Sequence, residues 1–342
     1  MLVSPFERHP YSGMVPGYLQ GTYAEADLTF DLRALAARAG ARFVLAPAER
    51  IDPVARVVEA GGERLPYDLL SLDVGSEPAG LATPGVREHA LTVRPMNRAV
   101  ELRHRAEELL APSADREVDI AVVGAGAAGV EVALALERLG RERGARVAVT
   151  LIEAGAAVVP EFPTRLRRIA GGALAARGIA VRTGRAVAAV EPAGVVLDDG
   201  TRLRSHLTVW ITGAAAPRLL SRSDLSRDPR GYLHVDATLR AVDGSPVFGA
   251  GDCIAIEGFP ALAKAGVYAV RQAPILDHNL RATLAGGPLR RYRPQATFLA
   301  LLNSADGQAI WHWHGFAGRS RFAWWLKDRI DRAFLRRYRT TR

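Results

Sequence analysis

Three glycines at a fixed spacing are the residues in this sequence whose pattern points most directly to a ligand. They lie in "GAGAAG" at 124–129, which follows an apolar run typical of a β-strand and opens an Ala- and Leu-rich run typical of a helix. In that setting Gly124 permits a tight turn, Gly126 lets the backbone approach a pyrophosphate, and Gly129 lets the helix pack on the strand. The helix N-terminus, with its free N–H groups and dipole, would hold the pyrophosphate. The pattern predicts a dinucleotide site, with a glycine-rich turn that binds nothing as the alternative.

An acid closes the next predicted strand. Glu153 ends the run "RVAVTLIE", at the position where a carboxylate hydrogen-bonds the adenosine ribose and repels a 2′-phosphate. We therefore expect NADH to be preferred over NADPH. The alternative is that Glu153 is an ordinary surface acid at a strand end.

Glycines at the ends of three other apolar runs are weaker candidates. The run "VFGAGDCIAI" brings Gly251 and Asp252 to a predicted strand end before a helix. There the short carboxylate could accept a hydrogen bond from a polyol, such as the ribitol of a flavin. Two further strands end at Gly75 and Gly213, as strands do that pass the chain between two dinucleotide-binding domains. Each of these glycines is also compatible with a plain turn.

The remaining residue types exclude several kinds of chemistry. Cys253 is the single cysteine, so an internal disulfide, a CxxC redox pair and a cysteine-based zinc site are ruled out, and redox chemistry would need a bound cofactor. No nucleophile with an acid–base partner stands out. His312 and His314 fall on one face of a predicted strand in "IWHWHG", but without a third ligand we interpret them as surface residues and predict no metal.

The positive charge is concentrated at the C-terminus. The net charge is +9, and residues 319–342 hold nine basic residues against two aspartates, 9 − 2 = +7. The same segment has a helical apolar stripe opposite a basic face, formed by Phe322, Trp325, Leu326, Ile330, Phe334 and Tyr338. Such a helix can lie on an anionic membrane surface or pack on its own domain or a partner subunit. Nucleic acid is a weaker interpretation, because no recognition motif accompanies the charge.

The N-terminus and the length of the apolar runs predict a cytoplasmic protein. Residues 319–342 could also bring it into peripheral contact with the inner face of the cytoplasmic membrane. The N-terminus lacks the pattern of a secretion signal, and the apolar runs are far shorter than the roughly 20 residues that span a bilayer.

The pattern of elements predicts an α/β fold with an inserted domain. Short β-rich runs and helical stretches such as 25–40 precede a proline-bearing linker, "APSADREV". A second βαβ pattern begins at Asp119, and a β-meander follows it. Near residue 230 the sequence again alternates short β-rich runs with helical stretches, as it does before the linker. We predict two Rossmann-like, three-layer domains. Their expected bounds are 1–113 and 229–293 for a discontinuous FAD-binding domain, 114–228 for an inserted NAD(H)-binding domain, and 294–342 for a C-terminal hairpin and basic helix.

The order of these motifs resembles the flavin-dependent pyridine nucleotide-disulfide oxidoreductase superfamily. Within it the chain resembles the type II NADH dehydrogenase-like branch associated with selenide, water dikinase. The narrower resemblance rests on "YSGMVPGYLQGTY", "YDLLSLDVGS", "KAGVYAVRQAPIL", "LLNSADGQAI" and "WWLKDRIDRAF".

This resemblance implies FAD and NADH as cofactors, hydride transfer from nicotinamide to flavin, and a quinone-like electron acceptor. It assigns Gly251, Asp252 and Gly75 to FAD, and places Ser12, Gly13 and Pro16 near the isoalloxazine. Lys264 would lie by the N1–C2 edge of the flavin, where its charge stabilises the reduced ring, and Gln272 would line the acceptor site; a solvated helix face is the alternative for both. Gly213 joins the NADH-binding set of Gly124, Gly126, Gly129 and Glu153, and the kinase becomes a candidate partner.

The first residues raise an expectation about FAD. By the same resemblance, "LVSP" matches the end of the second strand of an FAD-binding βαβ unit, so about 30 residues of that unit would be absent. We accordingly expect the chain as written to bind FAD poorly, either because translation starts upstream or because the protein is decayed or repurposed. The alternative function is a non-catalytic nucleotide-binding or regulatory protein linked to selenium metabolism.

Overall fold

The computed structural model describes residues 1–111 and 117–338. Most of the predicted linker, with the predicted domain boundary at 113/114, falls in 112–116 and so lies outside the described residues, as do the last four residues of the basic tail.

Ten α-helices are found in the described residues. They are α1 Val15–Leu19, α2 Glu25–Leu28, α3 Leu32–Arg38, α4 Val86–His89, α5 Arg98–Leu109, α6 Ala127–Glu142, α7 Thr164–Ala175, α8 Arg218–Ser221, α9 Gly266–Ala285 and α10 Arg321–Arg336. Two 3₁₀ turns, Ser12–Met14 and Gly251–Cys253, accompany them.

The strands are short, apart from the two that flank the glycine turn. They are β1 Leu2–Ser4, β2 Arg8–Pro10, β3 Thr29–Asp31, β4 Phe43–Leu45, β5 Ala48–Asp52, β6 Val57–Ala60, β7 Glu63–Pro66, β8 Leu70–Leu72, β9 Glu77–Pro78, β10 Ala90–Thr92, β11 Glu117–Val123, β12 Arg146–Glu153, β13 Ala180–Thr183, β14 Val187–Glu191, β15 Gly194–Leu197, β16 Arg202–Arg204, β17 Leu207–Trp210, β18 Ala214–Ala215, β19 Leu233–Val235, β20 Val247–Gly249, β21 Ile254–Ile256, β22 Ala300–Asn303, β23 Ala309–Trp313 and β24 Phe316–Ser320.

The chain divides into two compact units, each made of three segments. Unit 1 comprises 1–7, 31–77 and 214–296, and unit 2 comprises 8–30, 78–213 and 297–342. We describe each unit by itself.

Unit 1 is built from parallel strand pairs and one antiparallel meander. β1 pairs with β4, β8 with β20, and β19 with β21, all in parallel, while β5, β6 and β7 form the meander. Its core contains Ile51, Leu233, Val235, Val247 and Cys253, all fully buried. Of these, Leu233, Val235 and Val247 lie in the parallel strands β19 and β20, and buried parallel strands are rich in such aliphatic side chains.

Unit 2 is organised around a five-stranded parallel sheet in the order β10-β17-β11-β12-β13. β11 lies in the middle, paired with β12 along seven residues and with β17 on its other side. Helix α6 returns the chain from β11 to β12, which is the connection that parallel neighbours require. Separate antiparallel sheets are formed by β14–β16 and β22–β24. The sheet therefore places the carboxyl end of β11 and the amino end of α6 together.

Two predicted elements differ in the structure. The helix predicted over 25–40 is interrupted by β3, because the β-branched and aromatic pair Thr29 and Phe30 favours a strand and the Asp31 carboxylate accepts a hydrogen bond from Ala34 N at 2.8 Å, starting α3 afresh. The predicted C-terminal hairpin gains a third strand, β24.

The prediction that His312 and His314 share a strand face is wrong: β23 ends at Trp313, and His314 lies in the turn with φ +45°.

The described parts of the chain contain no helix that is both long enough and apolar enough to cross a membrane.

Candidate functional site

The glycine turn in unit 2 joins β11 to α6 in a form that only glycine permits at two positions. Gly124 has φ +103°, and a Cβ there would lie 2.3 Å from Ile211 O. A Cβ on Gly129 would lie 1.8 Å from Gly124 O. Real Cβ contacts are never this short. The turn therefore requires glycine at 124, and the close approach of the helix to the strand requires glycine at 129.

Two carboxylates accept hydrogen bonds from the backbone of this turn. Glu153, at the end of β12, accepts from Ala125 N at 2.7 Å through one oxygen and from Gly155 N at 2.8 Å through the other. Glu161 accepts from Ala127 N, the first N–H of α6, at 3.0 Å. The N–H groups at this helix end thus attract anionic oxygen, as a helix N-terminus does.

Gly213 lies just beyond β17, the neighbour of β11. Its carbonyl accepts from Ala79 N at 2.7 Å, and a Cβ there would meet no atom within 4 Å. The structure therefore shows no steric need for glycine at this position, unlike at Gly124.

The segment that carries Ser12, Gly13 and Pro16 is also part of unit 2. Ser12 and Gly13 lie in a 3₁₀ turn, and Pro16 is buried in α1. A Cβ on Gly13 would come 2.8 Å from the Tyr11 ring, and Gly13 O accepts a hydrogen bond from Lys327 Nζ at 2.6 Å. The loop is thus fixed at one end by α10.

Three of the unit 1 candidates meet at one turn. Gly251 has φ +74°, and its N–H donates to Gln272 Oε1 at 2.7 Å. Gln272 is 1% exposed, so it orients the turn and does not face solvent. The Asp252 carboxylate accepts from Ser76 Oγ at 3.2 Å.

Asp73 adds a second carboxylate beside this turn. A Cβ on Gly251 would lie 2.5 Å from Asp73 Oδ1, and burial, with the neighbouring charge of Asp252, raises the pKa of Asp73 to about 6. Gly75, two residues on, has φ +69° with open space around it. The strand end thus brings an acid pair and a backbone turn together, a setting suited to hydroxyl groups.

Lys264 is placed differently from the other unit 1 candidates. Its ammonium donates to Ile254 O and lies 3.9 Å from the centre of the Tyr232 ring. Burial, together with the nearby positive charge of Arg230, lowers the pKa of Lys264. The structure therefore shows Lys264 engaged with its own unit; its predicted place at a flavin edge stays a prediction.

A further acid near the glycine turn was not among the predicted site residues. Glu131, on α6 two residues after Gly129, accepts from Asn303 N at 2.6 Å. Burial raises the pKa of Glu131 to about 7, opposed by the charge of Lys327 and increased by that of Asp331. Asp73, Ser76 and Glu161 were missed as well. Asp73 and Ser76 lie within two residues of the predicted Gly75, and this proximity could have identified them as candidates. Nothing in the sequence spacing pointed to Glu161.

No group of three or more His, Cys, Asp or Glu side chains placed to hold a metal ion occurs within residues 1–111 and 117–338.

With this geometry in view, the chain belongs to the pyridine nucleotide-disulphide oxidoreductase family, whose sequence model matches residues 3–273. Family membership confirms the broad part of the resemblance.

The chain is also similar to several curated proteins over part of their length. An NADH dehydrogenase-like protein of Mycobacterium tuberculosis is 35% identical over 224 residues, covering 64% of this chain and 56% of that protein. Demethylphylloquinone reductase NdbB of Synechocystis is 28% identical over 261 residues (74% and 63%). A type II NADH:quinone oxidoreductase of Haemophilus influenzae is 26% identical over 273 residues (70% and 62%). The matched region thus spans less than two thirds of each of these relatives.

Solved structures show the same fold. Sulfide:quinone oxidoreductase from Aquifex aeolicus superposes with a TM-score of 0.82 at 20% identity, covering 99% of this chain and 85% of that one. NDH2 from Plasmodium falciparum, solved in complex with NADH, gives 0.83 at 15% identity, with 99% and 89% covered. These likenesses confirm the predicted α/β, Rossmann-like fold class.

Proposed function

We propose that this protein is an FAD-dependent oxidoreductase that takes hydride from NADH and delivers electrons to a quinone-like acceptor. The observation that carries the proposal is the glycine turn of unit 2. There Gly124 and Gly129 allow the N-terminus of α6 to pack directly against the end of β11. Family membership and the NADH dehydrogenase and quinone oxidoreductase relatives support it.

The residues present fit a dinucleotide in unit 2. No backbone atom lies over Gly126: a Cβ there would meet a single atom, Oε1 of the exposed Glu161 side chain, at 3.6 Å. Gly124, Gly126 and Gly129 would hold the pyrophosphate against α6, Glu153 would accept from the adenosine ribose, and Gly213 would border the site. The carboxylate of Glu153 disfavours an added 2′-phosphate, which is the basis for proposing NADH over NADPH.

A flavin fits the acid-lined turn of unit 1. Asp252 and the φ-positive Gly251 would hold the ribitol and pyrophosphate region, with Gln272 fixing the turn through its 2.7 Å hydrogen bond and Gly75 leaving open backbone. The roles expected for Ser12, Gly13 and Pro16, and for Lys264 and Gln272, rest on the resemblance alone. When bound, FAD would supply the two-electron chemistry that connects NADH to the acceptor. The chain's own contribution is to bind and orient, so no side-chain nucleophile is required.

Flavin retention tests the proposal. The purified protein is incubated with excess FAD, desalted and scanned near 450 nm, and NADH is then added without oxygen. A retained flavin spectrum that NADH bleaches and a soluble quinone restores would support the proposal and would contradict the expectation of weak FAD binding. As a matched control, Gly129→Val should retain flavin that dithionite bleaches but NADH does not, because the added side chain would collide with Gly124 O. A protein that binds NADH yet retains no flavin would instead be the non-catalytic nucleotide-binding alternative.

We propose a peripheral membrane contact through α10, consistent with a cytoplasmic protein that acts on a lipid-soluble acceptor. Phe322, Trp325 and Ile330 are 67%, 51% and 46% exposed. Exposed arginines accompany them, and Arg329 lies 5.1 Å from the Trp325 ring. Apolar side chains framed by arginines suit an anionic lipid surface.

Vesicle flotation tests this contact. We expect binding to phosphatidylglycerol vesicles, weaker binding to phosphatidylcholine vesicles, and loss of binding for the double variant Phe322→Ser/Trp325→Ser. Leu284→Ser removes another exposed apolar side chain, 72% exposed in unit 1, and should bind as the parent does. If the double variant changes only the oligomeric state, the face is an interface between copies of this chain.

We also propose selenide, water dikinase as a protein partner. The support is the branch resemblance, together with a meeting of two of its distinguishing segments: Lys327 of "WWLKDRIDRAF" donates to Gly13 O of "YSGMVPG" at 2.6 Å. Sedimentation of the two purified proteins together should show a complex; independent sedimentation at micromolar concentrations of both would remove this partner.

A further inference from the structure

The N-terminus of α6 already has an anion of the chain's own. Glu161 Oε1 lies 3.0 Å from Ala127 N and 3.6 Å from where a Cβ on Gly126 would be. This carboxylate therefore covers the glycine that a pyrophosphate must approach. We infer that Glu161 competes with the dinucleotide pyrophosphate for the α6 N-terminus and sets a limit on NADH affinity. The inference rests on the proposed function, in that unit 2 is taken to bind NADH.

The segment that presents Glu161 is fixed on both sides. Before it, the buried Val159 adopts φ +42° and donates its N–H to Ala125 O, within the glycine turn, at 2.7 Å. A β-branched residue at positive φ is strained, so this conformation is held by its surroundings. After it, Arg167 donates to Pro160 O at 2.5 Å and to Phe162 O at 2.7 Å. The two carbonyls that flank Glu161 are thus held by one guanidinium, and the carboxylate is directed to the helix end.

Within residues 1–111 and 117–338, Glu161 accepts a hydrogen bond from Ala127 N and forms no ion pair with a Lys, Arg or His. Its favourable partners are the helix dipole and the Ala127 N–H. A pyrophosphate seeks the same partners, and two anions at one helix end repel each other. NADH binding would require the Glu161 side chain to turn out to solvent, which it can do because the residue is exposed.

Glu153 does not have this effect, although it also contacts the turn. Its oxygens accept from Ala125 N and Gly155 N, at the end of β12, where an acid is expected to face the ribose hydroxyls. The two acids are therefore distinguishable by mutation: loss of Glu153 should weaken NADH binding, and loss of Glu161 should strengthen it.

Isothermal titration of the full chain with NADH tests the inference. Glu161→Gln removes the charge and keeps an oxygen able to accept from Ala127 N, and Glu161→Ala removes both. We expect the dissociation constant for NADH to fall roughly three- to tenfold in each variant. Glu101→Gln, which removes one exposed charge from α5 of the same unit, is the matched control and should not change it. Inorganic pyrophosphate, titrated without NADH, should also bind Glu161→Ala more tightly than it binds the parent.

A second readout separates competition from a structural role. Because Glu161 provides a hydrogen bond at the α6 N-terminus, Glu161→Ala should lower the melting temperature without nucleotide while it tightens NADH binding. If the parent binds NADH and neither Glu161 variant binds it more tightly, the inference is wrong and the proposed function stands. If the folded parent and all variants fail to bind NADH, the proposed function fails and the inference falls with it.

Discussion

The Lys327 ammonium lies 2.7 Å from the Asp331 carboxylate on the buried side of α10, where the two side chains are only 9% and 6% exposed. Lys327 also donates to Gly13 O at 2.6 Å. The same helix leaves Phe322 and Trp325 in solvent, so its charged pair faces inward and part of its apolar surface faces outward. This ion pair therefore connects the C-terminal helix to the 12–16 loop within unit 2.

Removal of one partner of this pair should destabilise unit 2 strongly. Lys327→Met or Asp331→Leu alone leaves an uncompensated buried charge, and we expect each to cost about 3 kcal/mol of unfolding free energy. The double variant should cost clearly less than the sum, because neither charge then remains buried. All five tryptophans lie in unit 2, so urea unfolding followed by tryptophan fluorescence measures the effect. Additive losses would mean that the two charges do not depend on each other.

Glu131 should make the stability of unit 2 depend on pH. Between pH 4.5, the ordinary value for a glutamate, and about 7, the unfolded chain has released its proton while folded Glu131 retains it. The folded state then binds more protons, so its stability falls as pH rises through this window. Glu131→Gln removes the effect, and relative to the parent it should gain about 3 kcal/mol between pH 4.5 and 7.5.

Tryptophan-monitored urea unfolding at several pH values measures that difference. Glu101→Gln, at an exposed site, provides the matched control for loss of one carboxylate. The groups facing Glu131 are Lys327 and Asp331, so the comparison is best made in the background that keeps both. A difference between Glu131→Gln and the parent that stays constant with pH would contradict the prediction.

Gly251 should tolerate alanine less well than another glycine with the same backbone. Gly62 has φ +79° and Gly251 has φ +74°, but only Gly251 has a neighbour in the way, Asp73 Oδ1 at 2.5 Å from the added Cβ. Both alanine variants incur the left-handed backbone strain of about 1–2 kcal/mol. Gly251→Ala should lose more, in thermal unfolding followed by circular dichroism, and should also lower flavin retention. Equal melting temperatures would show that Asp73 moves aside freely.

The elements around the glycine turn were predictable because their information is local. An apolar strand, three glycines and an apolar helix follow one another within about 25 residues, and Gly124 and Gly129 each have a steric reason that the spacing expresses. The prediction of one helix over 25–40 was wrong although the apolar residues follow a helical period. Thr29 and Phe30 form a strand there, and Asp31 caps a new helix.

The position of the acids depends on contacts that spacing does not express. Glu161 reaches the α6 N-terminus because Val159 adopts a rare backbone conformation and Arg167 binds two carbonyls, and both features depend on the folded loop. On α10, Lys327 and Asp331 stand four residues apart, which is the same helical period as the apolar residues. The pattern therefore indicated an amphipathic helix without indicating which side faces inward.

Cys253 should be inert, which bears on the route that electrons can take. The thiol is fully buried in the core of unit 1 and contacts Ala250 O at 3.2 Å, and burial raises its pKa to about 12. At pH 8 roughly one molecule in ten thousand would carry the reactive thiolate.

Labelling with iodoacetamide tests this. We expect the reagent to leave native Cys253 unlabelled for hours and to label it within minutes in urea, as measured by intact mass. Flavin bleaching by NADH should be the same before and after this treatment, because a redox route through a bound cofactor needs no thiol. Rapid native labelling, accompanied by loss of bleaching, would instead place Cys253 at the reacting centre.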